Sequence, residues 1–140
     1  MSETIYKFGG HTPPSGSDGV RWVNVDELEL FNRHLSLCGQ RQLSQAVWDD
    51  IYAEGTIYCL RFVEGIPVGR ACVEKYSDEF WEVSDVRTAK DYRNRGYATE
   101  ACTFVMNYIL HCGKTPTIRT EDDNYSMKRI IEKLGFFPIK

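Results

Sequence analysis

Tyr92-Arg93-Asn94-Arg95-Gly96-Tyr97-Ala98-Thr99-Glu100 sets two guanidiniums and a glycine directly before a strongly patterned helix. Arg87 and Lys90 lie just upstream, so four cations fall within residues 87–95 of a chain whose net charge is −3. The first N–H groups of a helix have no intrahelical acceptor, and with arginines beside them they form an anion site. Phosphate is the anion this arrangement suits best, and a phosphate-bearing small molecule the matching ligand. The stretch is not a P-loop, because no Gly-Lys-Ser/Thr follows, and it lacks the GxGxxG of a dinucleotide fold. Gly96 allows close approach of backbone to ligand, or a positive φ.

Working outward, the helix covers residues 96–112. Ala98, Ala101, Cys102, Val105, Met106, Ile109 and Leu110 recur at spacings of three and four, and Gly113 stops the helix. Upstream, residues 56–63, 66–76 and 80–87 read as an antiparallel meander, turned first by Glu64-Gly65 and then by Ser77-Asp78-Glu79. Downstream, residues 117–120 form a short strand. Asp123 or Asn124 then caps a helix with Met127, Ile130, Ile131 and Leu134 inward, and residues 136–139 form a terminal strand. Toward the N-terminus, residues 20–25 alternate as a strand. Asp26 with Glu29 approximates a capping box for a helix bearing Leu28, Phe31 and Leu35, and Ser44 caps a second with Val47, Trp48, Ile51 and Tyr52. Residues 1–19 are poorly defined: Ile5-Tyr6-Lys7-Phe8 fits a short strand, and residues 9–19 read as a loop. The predicted order is β-α-α-β-β-β-α-β-α-β, one domain over residues 1–140.

The bulk composition narrows the function. A chain of 140 residues with 42% hydrophobic and 26% charged residues can bury a core of its own as a soluble globular domain. Slight acidity argues against nucleic acid as a partner. No apolar run approaches the roughly 20 residues that span a bilayer, and the N-terminus has no signal pattern. Five cysteines, odd in number and without a CxxC, read as reduced thiols of a cytoplasmic protein, with no metal site. His11, His34 and His111 are scattered and form no constellation.

Arg93-x-x-Gly96-x-Ala98, placed between a third meander strand and a long helix, resembles the pyrophosphate loop of the GNAT superfamily of acyl-CoA-dependent N-acyltransferases. Asn124-Tyr125-Ser126-Met127-Lys128-Arg129-Ile130-Ile131-Glu132-Lys133-Leu134-Gly135-Phe136 is similar to the family's downstream signature. The resemblance covers residues 20–139. It implies an α/β (α+β) fold with a mixed, mostly antiparallel central sheet flanked by helices. It also implies an N-acetyltransferase moving an acetyl group from acetyl-CoA to a primary amine of a small molecule or peptide, by direct attack in a ternary complex. The alternative is an acyl-CoA-binding or protein-interaction module on the same fold with little or no transfer.

The site residues follow from the same resemblance. The backbone of Val86, Arg87 and Thr88, at the end of the third meander strand, would meet the pantetheine amides, with the thioester near Val86. Arg93, Asn94, Arg95, Gly96, Tyr97, Ala98 and Thr99 would cradle the pyrophosphate of coenzyme A. Asn124 and Ser126 would touch the pantetheine arm, and Asn124 can cap its helix as well. Glu82, eleven residues before Arg93, is the candidate base that deprotonates the amine; its other reading is a partner for Arg70 or Lys75. Strict alternation sets Glu82, Ser84 and Val86 on one face and Asp85, an alternative base, on the other. Two features depart from the family pattern. Ile131 stands where many members carry a general-acid tyrosine, which leaves Tyr125, Ser126 or unassisted departure of the thiolate. The sequence also ends soon after Phe136-Phe137, where members usually add a strand. The acceptor pocket would then be open, covered by the N-terminal segment, or completed by a second subunit in a homodimer. Trp22, Phe31 and Trp48 are candidates for shaping that pocket or for packing the core.

Overall fold

The computed structural model describes residues 2–10 and 18–139. Seven strands, β1 (Glu3–Phe8), β2 (Val20–Trp22), β3 (Ile57–Val63), β4 (Ile66–Glu74), β5 (Phe80–Thr88), β6 (Thr115–Glu121) and β7 (Phe136–Pro138), form one sheet. Their order is β2-β3-β4-β5-β6-β1-β7. Every pair is antiparallel except β5 with β6, so the sheet is mixed and mostly antiparallel as the sequence implied. The β3–β4 hairpin turns at Glu64 and Gly65, with φ of 50° and 80°, the pair of positive φ values a tight two-residue turn demands.

Helices α1 (Leu28–Leu37) and α2 (Gln45–Ala53) cover one face of the sheet, and α3 (Tyr97–His111) and α4 (Tyr125–Lys133) the other. On the α3 side, Val73 and Val83 pack with Ala101, Val105, Met106, Ile109 and Ile131. On the α1–α2 side, Phe31, Leu35 and Trp48 pack with Tyr58, Leu60 and Cys72. Phe31 and Trp48 are fully buried with ring centroids 4.7 Å apart, and Trp22 packs on Phe104 and Tyr108, so all three are packing residues. His34 is also buried, its Nδ1 2.8 Å from the Pro67 carbonyl. Desolvation pushes its pKa down to about 4, which keeps the ring neutral.

Three sequence expectations need correction. Strand β2 ends at Trp22 rather than at residue 25, and a short 3-10 turn, Val25–Glu27, precedes α1. The reciprocal cap is Asn24 with Glu27, where the Asn24 N–H donates to Glu27 Oε1 at 2.9 Å, and not Asp26 with Glu29. The N-terminal strand is also longer than Ile5-Tyr6-Lys7-Phe8 and more central than its sequence position suggests. It lies between β6 and β7 and pairs with both, with Tyr6 and Phe8 turned into the core. The expected order therefore gains a leading strand, and this segment fills the sheet beside β6. The loop expected over residues 9–19, and His11 within it, fall largely outside the described residues.

Candidate active site

Strands β5 and β6 are parallel neighbours over only Phe80–Glu82 and Thr115–Thr117, yet β5 runs on to Thr88. Parallel strands that part in this way leave a cleft at their C-terminal ends, with one edge of β5 offered to it. A β-bulge adds to the splay. The β4–β5 register shifts between Arg70 and Cys72, so Asp85 and Val86 together oppose Ala71. Asp85 takes a φ of 48°.

The bulge overturns the strict alternation expected along β5. Glu82 and Ser84 pair with Glu74 and Cys72, whose face carries α1 and α2. Asp85 lies on that same face, accepting from Tyr58 Oη at 2.6 Å and ion-paired with Arg70 at 3.1 Å. Val86 turns to the opposite face and packs with the α3 cluster. The two carboxylates considered as bases therefore share a face, and Val86 leaves it.

Beyond β5 the chain makes a 3-10 turn, Lys90–Tyr92, and enters α3 through Asn94 and Gly96, with φ of 64° and 85°. A β-carbon at Gly96 would meet nothing within 4 Å, so glycine serves here for its left-handed backbone and not for space. The first intrahelical bond is from the Glu100 N–H to the Gly96 carbonyl, at 3.1 Å. The N–H groups of Tyr97, Ala98 and Thr99 project from the helix end.

These pieces enclose a cleft of about 540 Å³. Val86, Arg87, Thr88, Arg93, Asn94, Gly96, Tyr97, Ala98, Thr99, Asn124 and Ser126 all line it, as do Tyr92, Met127, Arg129 and Ile130, which the sequence reading did not single out. Arg93 Nε donates to the Thr88 carbonyl at 3.1 Å, which fixes its guanidinium against the cleft wall. Arg95 does not line the cleft; its guanidinium sits 5.7 Å from the centre of the Tyr92 ring. Thr88 Oγ1 is buried at the wall without a hydrogen-bond partner, a polar atom suited to a ligand amide. Asn124 fills both roles considered for it, accepting from the Met127 N–H at 3.1 Å as a helix cap while facing the cleft.

Glu82 is buried and does not line the cleft. Arg119 Nε donates to its Oε1 at 2.8 Å, and neither Arg70 nor Lys75 is its partner. Burial raises the carboxyl pKa, and the Arg119 hydrogen bond offsets part of that rise. Arg119 is a further residue that the sequence did not point to. Its only signal was a cation on a short alternating strand, and the parallel β5–β6 pairing that brings it beside Glu82 has no local signature. Ile131 is wholly buried, Tyr125 is exposed outside the cleft, and Ser126 faces into it. Among the described residues no group of His, Cys, Asp and Glu is placed to hold a metal ion, and no helix is long and apolar enough to cross a membrane.

The fold is an α/β domain whose mixed sheet parts between two parallel strands, with a basic loop and a helix N-terminus at the mouth of the cleft. The model of the acetyltransferase (GNAT) family matches residues 22–136, and the chain belongs to that family. Its members are acyltransferases. A GNAT-family protein from Novosphingobium aromaticivorans superposes with a TM-score of 0.77 at 20% identity, over 99% of this chain and 60% of that one. The complex of AAC(6')-Iy with the bisubstrate analog CoA-S-monomethyl-acetylneamine matches at 0.69 and 17% identity, over 84% of this chain and 89% of that one. The ribosomal-protein-S18-alanine N-acetyltransferase from Escherichia coli matches at 0.69 and 12%, over 86% and 78%. At these identities the likeness is one of fold. The chain spans 60% and 52% of the first two structures it resembles, the second an acetyltransferase from Colwellia psychrerythraea. No curated protein matches it.

Proposed function

We propose that this domain transfers an acetyl group from acetyl-CoA to a primary amine of a small molecule or peptide, by direct attack in a ternary complex. The cleft carries this reading. Its mouth offers helix N–H groups and Arg93 to a pyrophosphate, and its wall offers the Val86–Thr88 backbone and the orphaned Thr88 hydroxyl to pantetheine amides. Coenzyme A would lie with its phosphates at residues 93–99 and its thioester near Val86.

The amine must lose a proton to attack. Both oxygens of Asp85 are engaged, by Arg70 and by Tyr58, whereas among the described residues Glu82 meets Arg119 at one oxygen and has a raised pKa, so Glu82 is the better base. The amine nitrogen bonds to the thioester carbon, a backbone N–H near Val86 stabilises the oxyanion, and the C–S bond breaks. Glu82, which lies off the cleft wall, takes the proton through a water, and coenzyme A leaves as thiolate. With Ile131 in the core, Ser126 is one of several hydroxyls on the cleft that could protonate it; unassisted departure is also chemically tolerable, since a free thiol has a pKa of about 8.5.

Thiol release from acetyl-CoA, measured against a panel of polyamines, aminoglycosides, amino acids and peptides, tests the proposal. Binding with turnover on one amine class is expected. Binding without turnover on any would favour an acyl-CoA-binding module, and no binding by the folded chain would refute both.

A further inference from the structure

We propose that Arg70 is a positioning residue for acyl transfer, clamping Asp85 so that the β5 bulge presents the Val86 backbone to the acyl group. The inference rests on the acetyl-CoA reading of the cleft given above.

Arg70 sits in the core of the α1–α2 face at 4% exposure, and its guanidinium bonds in three directions. Nε and Nη2 donate to Asp85 Oδ2 and Oδ1 at 3.2 and 3.1 Å, and Nη1 donates to Gln40 Oε1 at 2.7 Å. Tyr58 Oη donates to Asp85 Oδ2 at 2.6 Å. Gln40 belongs to the turn that closes α1, its N–H bonded to the Leu35 carbonyl at 2.8 Å. The clamp therefore ties α1, β3 and β4 to a single residue of β5.

That residue has a positive φ, 48°, which is uncommon for any residue with a β-carbon, although aspartate tolerates it better than most. Arg70 is buried, but the Asp85 side chain is 42% exposed, and an ion pair open to solvent on one side adds little net stability, so stability alone is a weak reason for placing an arginine among Tyr58, Leu60 and Cys72. Its geometric effect is specific. Holding Asp85 left-handed inserts the extra residue of the bulge, which turns Val86 across the sheet and into the cleft wall. Arg70 thus acts on the reacting region through Asp85, from the far side of the sheet.

Glycine adopts the left-handed region freely, so it supplies the test. Asp85→Ala and Arg70→Met are expected to lower kcat by roughly tenfold to a hundredfold, the cost of a small misplacement, while the acetyl-CoA Kd moves less than about threefold. Asp85→Gly, and the Arg70→Met/Asp85→Gly pair, are expected to recover most of the lost kcat. The Val86 amide resonance, followed as acetyl-CoA is added, reads the same displacement without turnover. If Arg70→Met does not fold, Asp85→Ala against Asp85→Gly decides. Equal loss in those two, with the acid limb of the pH profile abolished, would make Asp85 the base and overturn the proposal. So would wild-type kcat and an unmoved Val86 amide in every variant. Failure of the wild-type chain to bind acetyl-CoA would overturn the cleft reading itself, a separate result.

Discussion

Replacing Arg93 with alanine is expected to weaken acetyl-CoA binding by about tenfold to a hundredfold, and replacing Arg95 by less than about fivefold. The sequence offers the two arginines as a pair, and the structure separates them. Arg93 lines the cleft with its Nε held by the Thr88 carbonyl at 3.1 Å, whereas Arg95 lies outside against Tyr92. A hydrogen bond from a guanidinium to a phosphate oxygen contributes about 1.5–3 kcal/mol, and about 1.4 kcal/mol is tenfold in affinity. An exposed charge without direct contact contributes about 0–1 kcal/mol and is screened by salt. Titration calorimetry of both variants at two ionic strengths measures the difference. Equal losses, or a normal affinity for Arg93→Ala, would show that the guanidinium does not meet the phosphates where the cleft places it.

Other expectations follow from the same geometry. If Glu82 is the base, it must be ionised to act, and its raised pKa puts the acid limb of kcat/KM above the ordinary glutamate value of about 4.3. Arg119 lowers that pKa, so Arg119→Met should move the limb to higher pH; an unmoved limb assigns it to another group. Glu82→Gln should cut kcat by about 10²–10⁴ with near-normal acetyl-CoA affinity, and a fully active variant would place the base elsewhere. Gly96→Ala meets no clash but forces alanine to φ 85°, costing about 1–2 kcal/mol, or a melting temperature lower by roughly 2–8 °C; an unchanged melt would mean the loop relaxes freely. Phe8→Ala should cost about 3–5 kcal/mol in urea unfolding, because Phe8 is buried against Phe136. A loss below about 1 kcal/mol would make β1 peripheral to the fold.

What the sequence determined is what is local. Helical period, stop glycines and the Glu64-Gly65 turn placed α3, α4 and the meander within a few residues, because each depends on neighbours a turn or a hairpin apart. The loop from Arg93 to Gly96 and the cap at Asn124 were legible for the same reason: helix-end chemistry lies within four residues of the end. Tertiary structure alone decided the rest. Strand β1 enters the sheet between the last two strands of the chain, a pairing across more than a hundred residues that no local pattern encodes. Arg119 meets Glu82 through the parallel pairing of β5 with β6, and Arg95 lies outside the cleft on a loop that turns at Asn94 and Gly96. Period-two alternation assumes one residue per pleat. The bulge at Asp85 breaks that assumption, and an arginine fifteen positions earlier holds it in place, so the faces of β5 could be read only from the folded chain.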